Sequence, residues 1–315
     1  MITRVQNSKI AIALGSGAAR GWAHIGVLQE LLSMDIVPDI VCGSSIGAFV
    51  GAAYAHDQLD QLSSWVCKLN RREILRYIDF SLFGGGFISG STQKQMLRQH
   101  FGDIQIENLA KHFIAISTNL KTGLEVWVRE GDVYDAIHAS LALPGLFTPV
   151  SLNGNWMADG GLVNPVPVSA CRTFNPEIII AVNLNSKIVG KRFRESSKQN
   201  SGDSESLLPQ KLLPFFEQLK MGLQKDADSL INKLWSKRED KPGVFDVLLS
   251  SIHIMQERIT RSRLIGDPPD ILFEPDLSYI GLLEFDRGAE IIEAGRKCVK
   301  QQKQVLLDLI KHKKD

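Results

Sequence analysis

Apolar residues in the first part of the chain gather in short runs of strand length: IAIAL at 10–14, DIVCG at 39–43, FIAIST at 113–118, LEVWV at 124–128 and EIIIAVNL at 177–184. Between the first two runs, Ile25, Leu28, Leu31 and Leu32 recur at helical spacing, which predicts a strand, helix, strand unit with a parallel crossover. Helical patterns also follow Ser45 and occupy 93–99 and 133–141. Strands alternating with helices predict an α/β fold.

The pattern changes at 187–243. KRFRESSKQNSGDSES is poor in hydrophobics and rich in Ser and charge, the composition of an exposed loop. Beyond it Leu212, Phe215, Phe216, Leu219 and Leu223 recur at helical spacing, interleaved with Lys211, Lys220 and Lys225. This stretch reads as an amphipathic helix packed on its own domain, or as one lying on a membrane surface or capping an active site. A helix-like segment after Pro242, a strand-like ILFEP at 271–275 and a long final helix from about Phe285 to Lys311 complete the chain. The expected organisation is one domain over 8–315, with a core at 8–185, an insertion at about 187–243 and C-terminal helices at 244–315.

Composition narrows the function classes. With 44% hydrophobic and 23% charged residues the chain is an ordinary globular one, and a formal charge of +1 offers no net field for nucleic acid. Cys42, Cys67, Cys171 and Cys298 are scattered, so neither a zinc cluster nor a disulfide framework is expected, and a cytoplasmic setting fits. The run Ile10–Leu14 is too short for a signal or membrane segment.

The chemistry is concentrated in three segments. VCGSSIGAFVGAAYA sets Gly43 and Gly47 around Ser45, directly after a strand and before a helix. That context is the one a GxSxG nucleophile elbow needs: a sharp turn strains the serine backbone, and its neighbours must lack clashing side chains. The alternative is a serine that caps a helix. ALGSGAARG places Gly15, Gly17 and Gly21 between the first strand and the first helix, a loop that aims backbone N–H groups at an anion. A dinucleotide is one candidate, but the second strand ends in Cys42, Gly43 and the elbow instead of an acidic residue, and no GK[ST] follows for a P-loop. An oxyanion hole uses the same geometry and needs a neighbouring nucleophile, which Ser45 supplies.

Seven histidines compete to be the base. His24 lies inside the first helix, and His56, His100, His112 and His312 have no motif around them. The order Ser45, Asp159, His253 is that of an α/β-hydrolase triad, but His253 falls within a regular helical pattern, whereas such residues ride on loops. Asp159 ends a short strand in NWMADGGLVNPVPV, before Gly160, Gly161 and two prolines, a rigid turn that holds a carboxylate in place. It reads either as an ordinary turn aspartate or as the base of a Ser-Asp dyad.

Taken together, GSGAARG at 15–21, GSSIG at 43–47 and DGG at 159–161, with HASLALPGLFTPV at 138–150, resemble the patatin-like phospholipase family, closest to its bacterial and neuropathy-target-esterase branch. The resemblance covers most of 8–185 and, more weakly, FDRGAEIIEAG near the C-terminus. It implies a three-layer α/β/α sandwich with a mostly parallel central sheet. It also implies hydrolysis of fatty-acyl esters of phospholipids or lysophospholipids through an acyl-enzyme, without metal or cofactor. Ser45 would be the nucleophile and Asp159 the base. Gly15, Gly17, Ala18, Ala19 and Arg20 would form the oxyanion loop, with Arg20 structural or orienting. The implied partner is a lipid acyl ester, with a peripheral membrane contact. Ser16 and Ala18 stand where family members often carry glycine, so any position there that needs positive φ is strained by a Cβ. A regulator that kept the fold and lost turnover is the rival reading, and a nucleotide-binding module is a second.

Overall fold

The computed structural model describes residues 9–70, 73–74, 98, 102–186 and 244–313. Apart from Arg98, the helix expected at 93–99 lies outside them, as do the insertion and the stretch from Leu212 to Leu223. The chain divides into two compact units, Met1–Val189 with Met255–Asp315, and Gly190–Ile254.

The first unit is built on a sheet whose strands are β1 (Ile10–Leu14), β2 (Ile40–Ser44), β3 (His112–Asn119), β4 (Glu125–Val128), β5 (Val150–Leu152), β6 (Asn155–Asp159), β7 (Ile178–Val182) and β8 (Ile271–Phe273). Their order is β5-β6-β3-β2-β1-β7-β8, with β4 paired to β3. The pairs among β1, β2, β3, β7 and β8 are parallel, and those of β4, β5 and β6 are antiparallel. The expected parallel crossover from β1 to β2 is present, carried by α1 (Ala23–Ser33).

The alternation within IAIAL explains the layers. Ile10, Ile12 and Leu14 enter one core with α1, α2 (Ile46–Ala55), α3 (Leu59–Lys68) and α4 (Val133–Leu141), while Ala11 and Ala13 face a second core under α5 (Val168–Arg172). Successive strand residues point to opposite faces, so a strand that is apolar throughout must be covered on both sides. Leu264 of α6 (Val244–Gly266) packs on the second core. The result is the expected α/β/α sandwich, in which each fully buried Ile or Leu contributes about 1.5–3 kcal/mol relative to exposure.

One expectation is corrected. The final helix is two, α7 (Gly288–Gln301) and α8 (Lys303–His312), preceded by a 3-10 turn at Phe285–Arg287. The buried stripe of Ile291, Gly295, Cys298 and Val299 would continue next near 302, where Gln302 and Lys303 stand, and resumes at Leu306 and Ile310. The interruption falls at the turn where that stripe carries no apolar residue.

β3 acts as the ruler for the site. Ser44 is paired with Ile116, and Asp159 with the next residue, Ser117. Because β4 takes the other edge of β3 at both positions, β2 and β6 share one edge and meet end to end. The residue after Ser44 and the last residue of β6 are thereby brought together from opposite ends of the core sequence.

Candidate active site

Ser45 stands between β2 and α2 with φ 57° and ψ −125°, a conformation that L-residues adopt only under constraint. Close backbone contact supplies that constraint. A Cβ on Gly43 would lie 2.4 Å from Gly47 O, and one on Gly47 would lie 2.1 Å from Leu14 O. The Ser45 N–H donates to Ser140 Oγ at 2.9 Å, and Ser140 Oγ donates to Ile116 O at 2.6 Å. The elbow is thus pinned through α4 to the strand that sets the register.

The Ser45 hydroxyl, on a residue only 8% exposed, donates to Asp159 Oδ2 at 2.5 Å. Asp159 Oδ1 accepts from Gly161 N at 2.6 Å, Asp159 N donates to Ala142 O at 2.9 Å, and Thr118 Oγ1 donates to Asp159 O at 2.8 Å. Every backbone polar group of the aspartate is therefore tied down, and the DGG turn aims its carboxylate at the serine. At 1% exposure the carboxylate has lost its water, and burial raises its pKa to about 6 against the opposing pull of the Ser45 and Gly161 hydrogen bonds. The outcome is a buried carboxyl that titrates much nearer neutrality than an ordinary aspartate.

The five residues expected in the glycine loop divide. Gly15 N donates to Val182 O at 3.1 Å, Ala19 N to Leu282 O at 3.1 Å and Arg20 N to Gly17 O at 3.2 Å, so these amides are engaged. The amides of Gly17 and Ala18 make no hydrogen bond among the described residues. The loop lies against the elbow, for a Cβ on Gly21 would meet the Ile46 side chain at 2.1 Å. Ala18 has φ 50°, so the position expected to suffer from a Cβ is this one. Arg20 is buried and holds the loop from behind, its Nε donating to Ile280 O at 3.1 Å and Nη1 to Asn185 Oδ1 at 3.4 Å. Asn185 Nδ2 in turn donates to Ser16 O at 3.2 Å.

His24 is fully buried with Nε2 2.7 Å from Gly15 O. Burial lowers its pKa to about 4, partly offset by that bond, so the ring is neutral and Nε2–H is the donor. His253 lies within α6 and belongs to the second unit. Among the described residues no group of three or more His, Cys, Asp or Glu is arranged to hold a metal, and no helix is long and apolar enough to cross a membrane.

Sequence reasoning passed over Ser140 and Thr118. Ser140 was visible as a lone hydroxyl on the otherwise apolar face of AIHASLAL, the one signal that marked it.

The strand, sharp turn and helix around Ser45 put this chain among the α/β proteins with a serine elbow. Within that class, the patatin-like phospholipase family profile matches residues 12–172, more than half of the chain. The chain belongs to the patatin-like phospholipase family, and its enzyme class is that of a lipid ester hydrolase. An uncharacterized NTE family protein of Mycobacterium bovis is 32% identical, with 93% of this chain and 91% of that protein covered. Another, from Mycobacterium tuberculosis, is 28% identical over 98% of this chain and 48% of its own length. A lysophospholipase nte1 of Emericella nidulans is 27% identical over 96% of this chain, which spans 18% of that protein. Among solved structures, VipD from Legionella pneumophila aligns with a TM-score of 0.45 and 12% identity over 93% of this chain and 66% of VipD.

Proposed function

We propose that this protein hydrolyses fatty-acyl esters of phospholipids or lysophospholipids through a Ser45–Asp159 dyad and an acyl-enzyme. The observation that carries the reading is the hydrogen bond from a strained serine hydroxyl to a buried, desolvated carboxylate. Asp159 takes the Ser45 proton as Oγ attacks the ester carbonyl, then delivers it to the departing alcohol. The unengaged N–H groups of Gly17 and Ala18, at the carboxyl end of the neighbouring strand, are the donors suited to the tetrahedral oxyanion. A dyad suits this chemistry because an aspartate raised to about 6 can hold the proton that a triad gives to histidine.

The lysophospholipase name of the Emericella relative supports a single-chain lipid as one substrate class. We place the whole of 8–315 in one catalytic domain carrying the insertion, with the enzyme in the cytoplasm and in peripheral contact with its lipid.

A fluorophosphonate probe and a panel of phospholipid and lysophospholipid substrates test the reading together. Labelling at Ser45 and fatty-acid release that both vanish in Ser45→Ala are expected. A folded protein whose Ser45 never labels would instead be a regulator that kept the fold.

A further inference from the structure

Three large apolar side chains stand together in water beside the site. Leu120 and Leu124 flank the turn between β3 and β4, and Trp156 lies in β6; they are 47%, 66% and 60% exposed. Leu120 N donates to Trp156 O at 2.9 Å, continuing the Thr118–Ala158 and Asn119–Met157 pairs, and Asn119 N donates to Leu124 O at 3.0 Å. The three therefore share one hairpin tip. That tip carries β3 past the level at which β2 ends: Asn119 lies about 10 Å along the strand from Ile116, the partner of Ser44. From Trp156, β6 runs back to Asp159. The apolar tip thus stands on the rim of the sheet edge that presents Ser45 and Asp159.

The backbone of the tip is closed on itself. Every N–H from Asn119 to Leu124 is bonded inside the protein. Besides the two bonds above, Lys121 N and Thr122 N donate to Asn119 Oδ1 at 2.9 and 3.1 Å, Gly123 N to Asn119 O at 2.8 Å, and Leu124 N to Thr122 Oγ1 at 3.3 Å. A turn that stays in water can leave its donors to the solvent, whereas one that enters a water-poor region must bond them internally. Charge points to the same surroundings. Lys121 is the sole charged residue from 119 to 124, and 150–157 carries none, so the tip offers one cation and no anion to an acidic lipid surface.

We propose that this tip is the membrane-docking element of the protein, with Leu120, Leu124 and Trp156 entering the interfacial region of an anionic bilayer and Lys121 meeting the lipid phosphates. The inference rests on the reading of the protein as a lipid hydrolase and names the surface that brings the Ser45–Asp159 site to its substrate. An indole suits the headgroup level, and the two leucines supply the apolar area that holds the tip there.

Sedimentation of the full chain with phosphatidylcholine vesicles, and with vesicles of equal parts phosphatidylcholine and phosphatidylglycerol, tests the assignment. Leu120→Ser, Leu124→Ser and Trp156→Ser should each lower the partition coefficient about three- to tenfold on both. Lys121→Gln should lower it about fivefold on the anionic vesicles alone. All four side chains are exposed, so the variants should melt with wild type. Brominated phosphatidylcholine should quench wild-type tryptophan emission, and Trp156→Phe should lose that quenching while still binding. Equal partitioning of wild type and variants would overturn the assignment, as would quenching that persists in Trp156→Phe. So would a dimer in sedimentation velocity that the same substitutions dissolve, which would give the tip to a second copy of the chain. The dyad is read separately, on a soluble p-nitrophenyl ester. Tip-dependent binding without turnover would sink the acyl-enzyme and keep the docking surface; turnover with tip-independent binding would sink the docking surface alone.

Discussion

Two tight turns sit side by side at the carboxyl ends of β1 and β2, and each holds one non-glycine residue at left-handed φ: Ala18 at 50° in the glycine loop and Ser45 at 57° in the elbow. In the elbow the strained residue is the one whose side chain the proposed chemistry uses. Its strain is enforced by glycines that let backbone touch backbone. In the loop the groups proposed to act are amide N–H donors, and the strained residue contributes only a methyl. Strain that presents a side chain must keep that side chain, whereas strain that presents a backbone amide is indifferent to the methyl above it.

The largest effects break the elbow's side of this comparison. Ser45→Ala and Asp159→Asn should each reduce ester turnover by more than about 10³-fold, measured as kcat on a lysophospholipid. The two differ in stability. Asp159 is raised from 3.8 to about 6 in the fold, so between those values the folded protein binds a proton that the unfolded chain has released. Stability falls as pH rises through that window, and above it the buried charge costs about 3 kcal/mol. Asp159→Asn should therefore raise Tm at pH 8, while Ser45→Ala should not.

If Asp159 is the base, the same shift should give an acid limb in kcat/KM near pH 6, measured as a pH–rate profile, because a protonated Asp159 cannot take the Ser45 proton. His24 acts with the opposite sign. Its pKa is lowered to about 4, so stability falls as pH drops from the unfolded histidine value toward 4, again by about 3 kcal/mol. The two slopes oppose each other in wild type between about pH 4 and 6. Denaturant titrations of Asp159→Asn should expose the His24 slope alone, and a flat profile in that variant would remove His24 from the account.

Gly47→Ala tests why the elbow is built as it is. The new Cβ would press on Leu14 O at 2.1 Å and Gly15 O at 2.8 Å, backbone atoms of the neighbouring strand and loop with no room to move. A loss of about 3 kcal/mol or more is expected by denaturant unfolding, with turnover falling as Ser45 shifts.

How far the sequence reveals this site follows the same division. Strands β1, β2, β3 and β7 were readable because each apolar run must fill both faces of a covered sheet, β4 because Val126, Trp127 and Val128 are strand-favouring residues on a partly buried edge, and the elbow because its glycines mark a backbone contact. The break at Gln302 needed knowledge of which helix face meets α1. Which loop amides stay unengaged was not readable either: Gly15, Ala19 and Arg20 lose theirs to carbonyls of Val182, Leu282 and Gly17, partners up to the far end of the chain. Nor could any local pattern show that Ser16 and Gln256 both pack against Gly161, since they come from distant segments. Residues that act through their immediate neighbours leave a motif, and those that act through long-range contacts leave an isolated polar residue in an apolar context.

The smallest effect is the most discriminating test of the loop. Left-handed backbone costs a non-glycine residue about 1–2 kcal/mol, while a glycine adds about 0.4–1 kcal/mol of unfolded-state entropy. Ala18→Gly should therefore leave the protein equally stable or more stable by up to about 1 kcal/mol, with turnover retained, because the amide it presents is unchanged. Ala18→Val places a β-branched residue where it fits least, and should lower both Tm and turnover. If Ala18→Gly lost turnover while keeping its stability, the methyl itself would be part of the site, and the contrast between a turn that presents a side chain and one that presents a backbone amide would no longer hold.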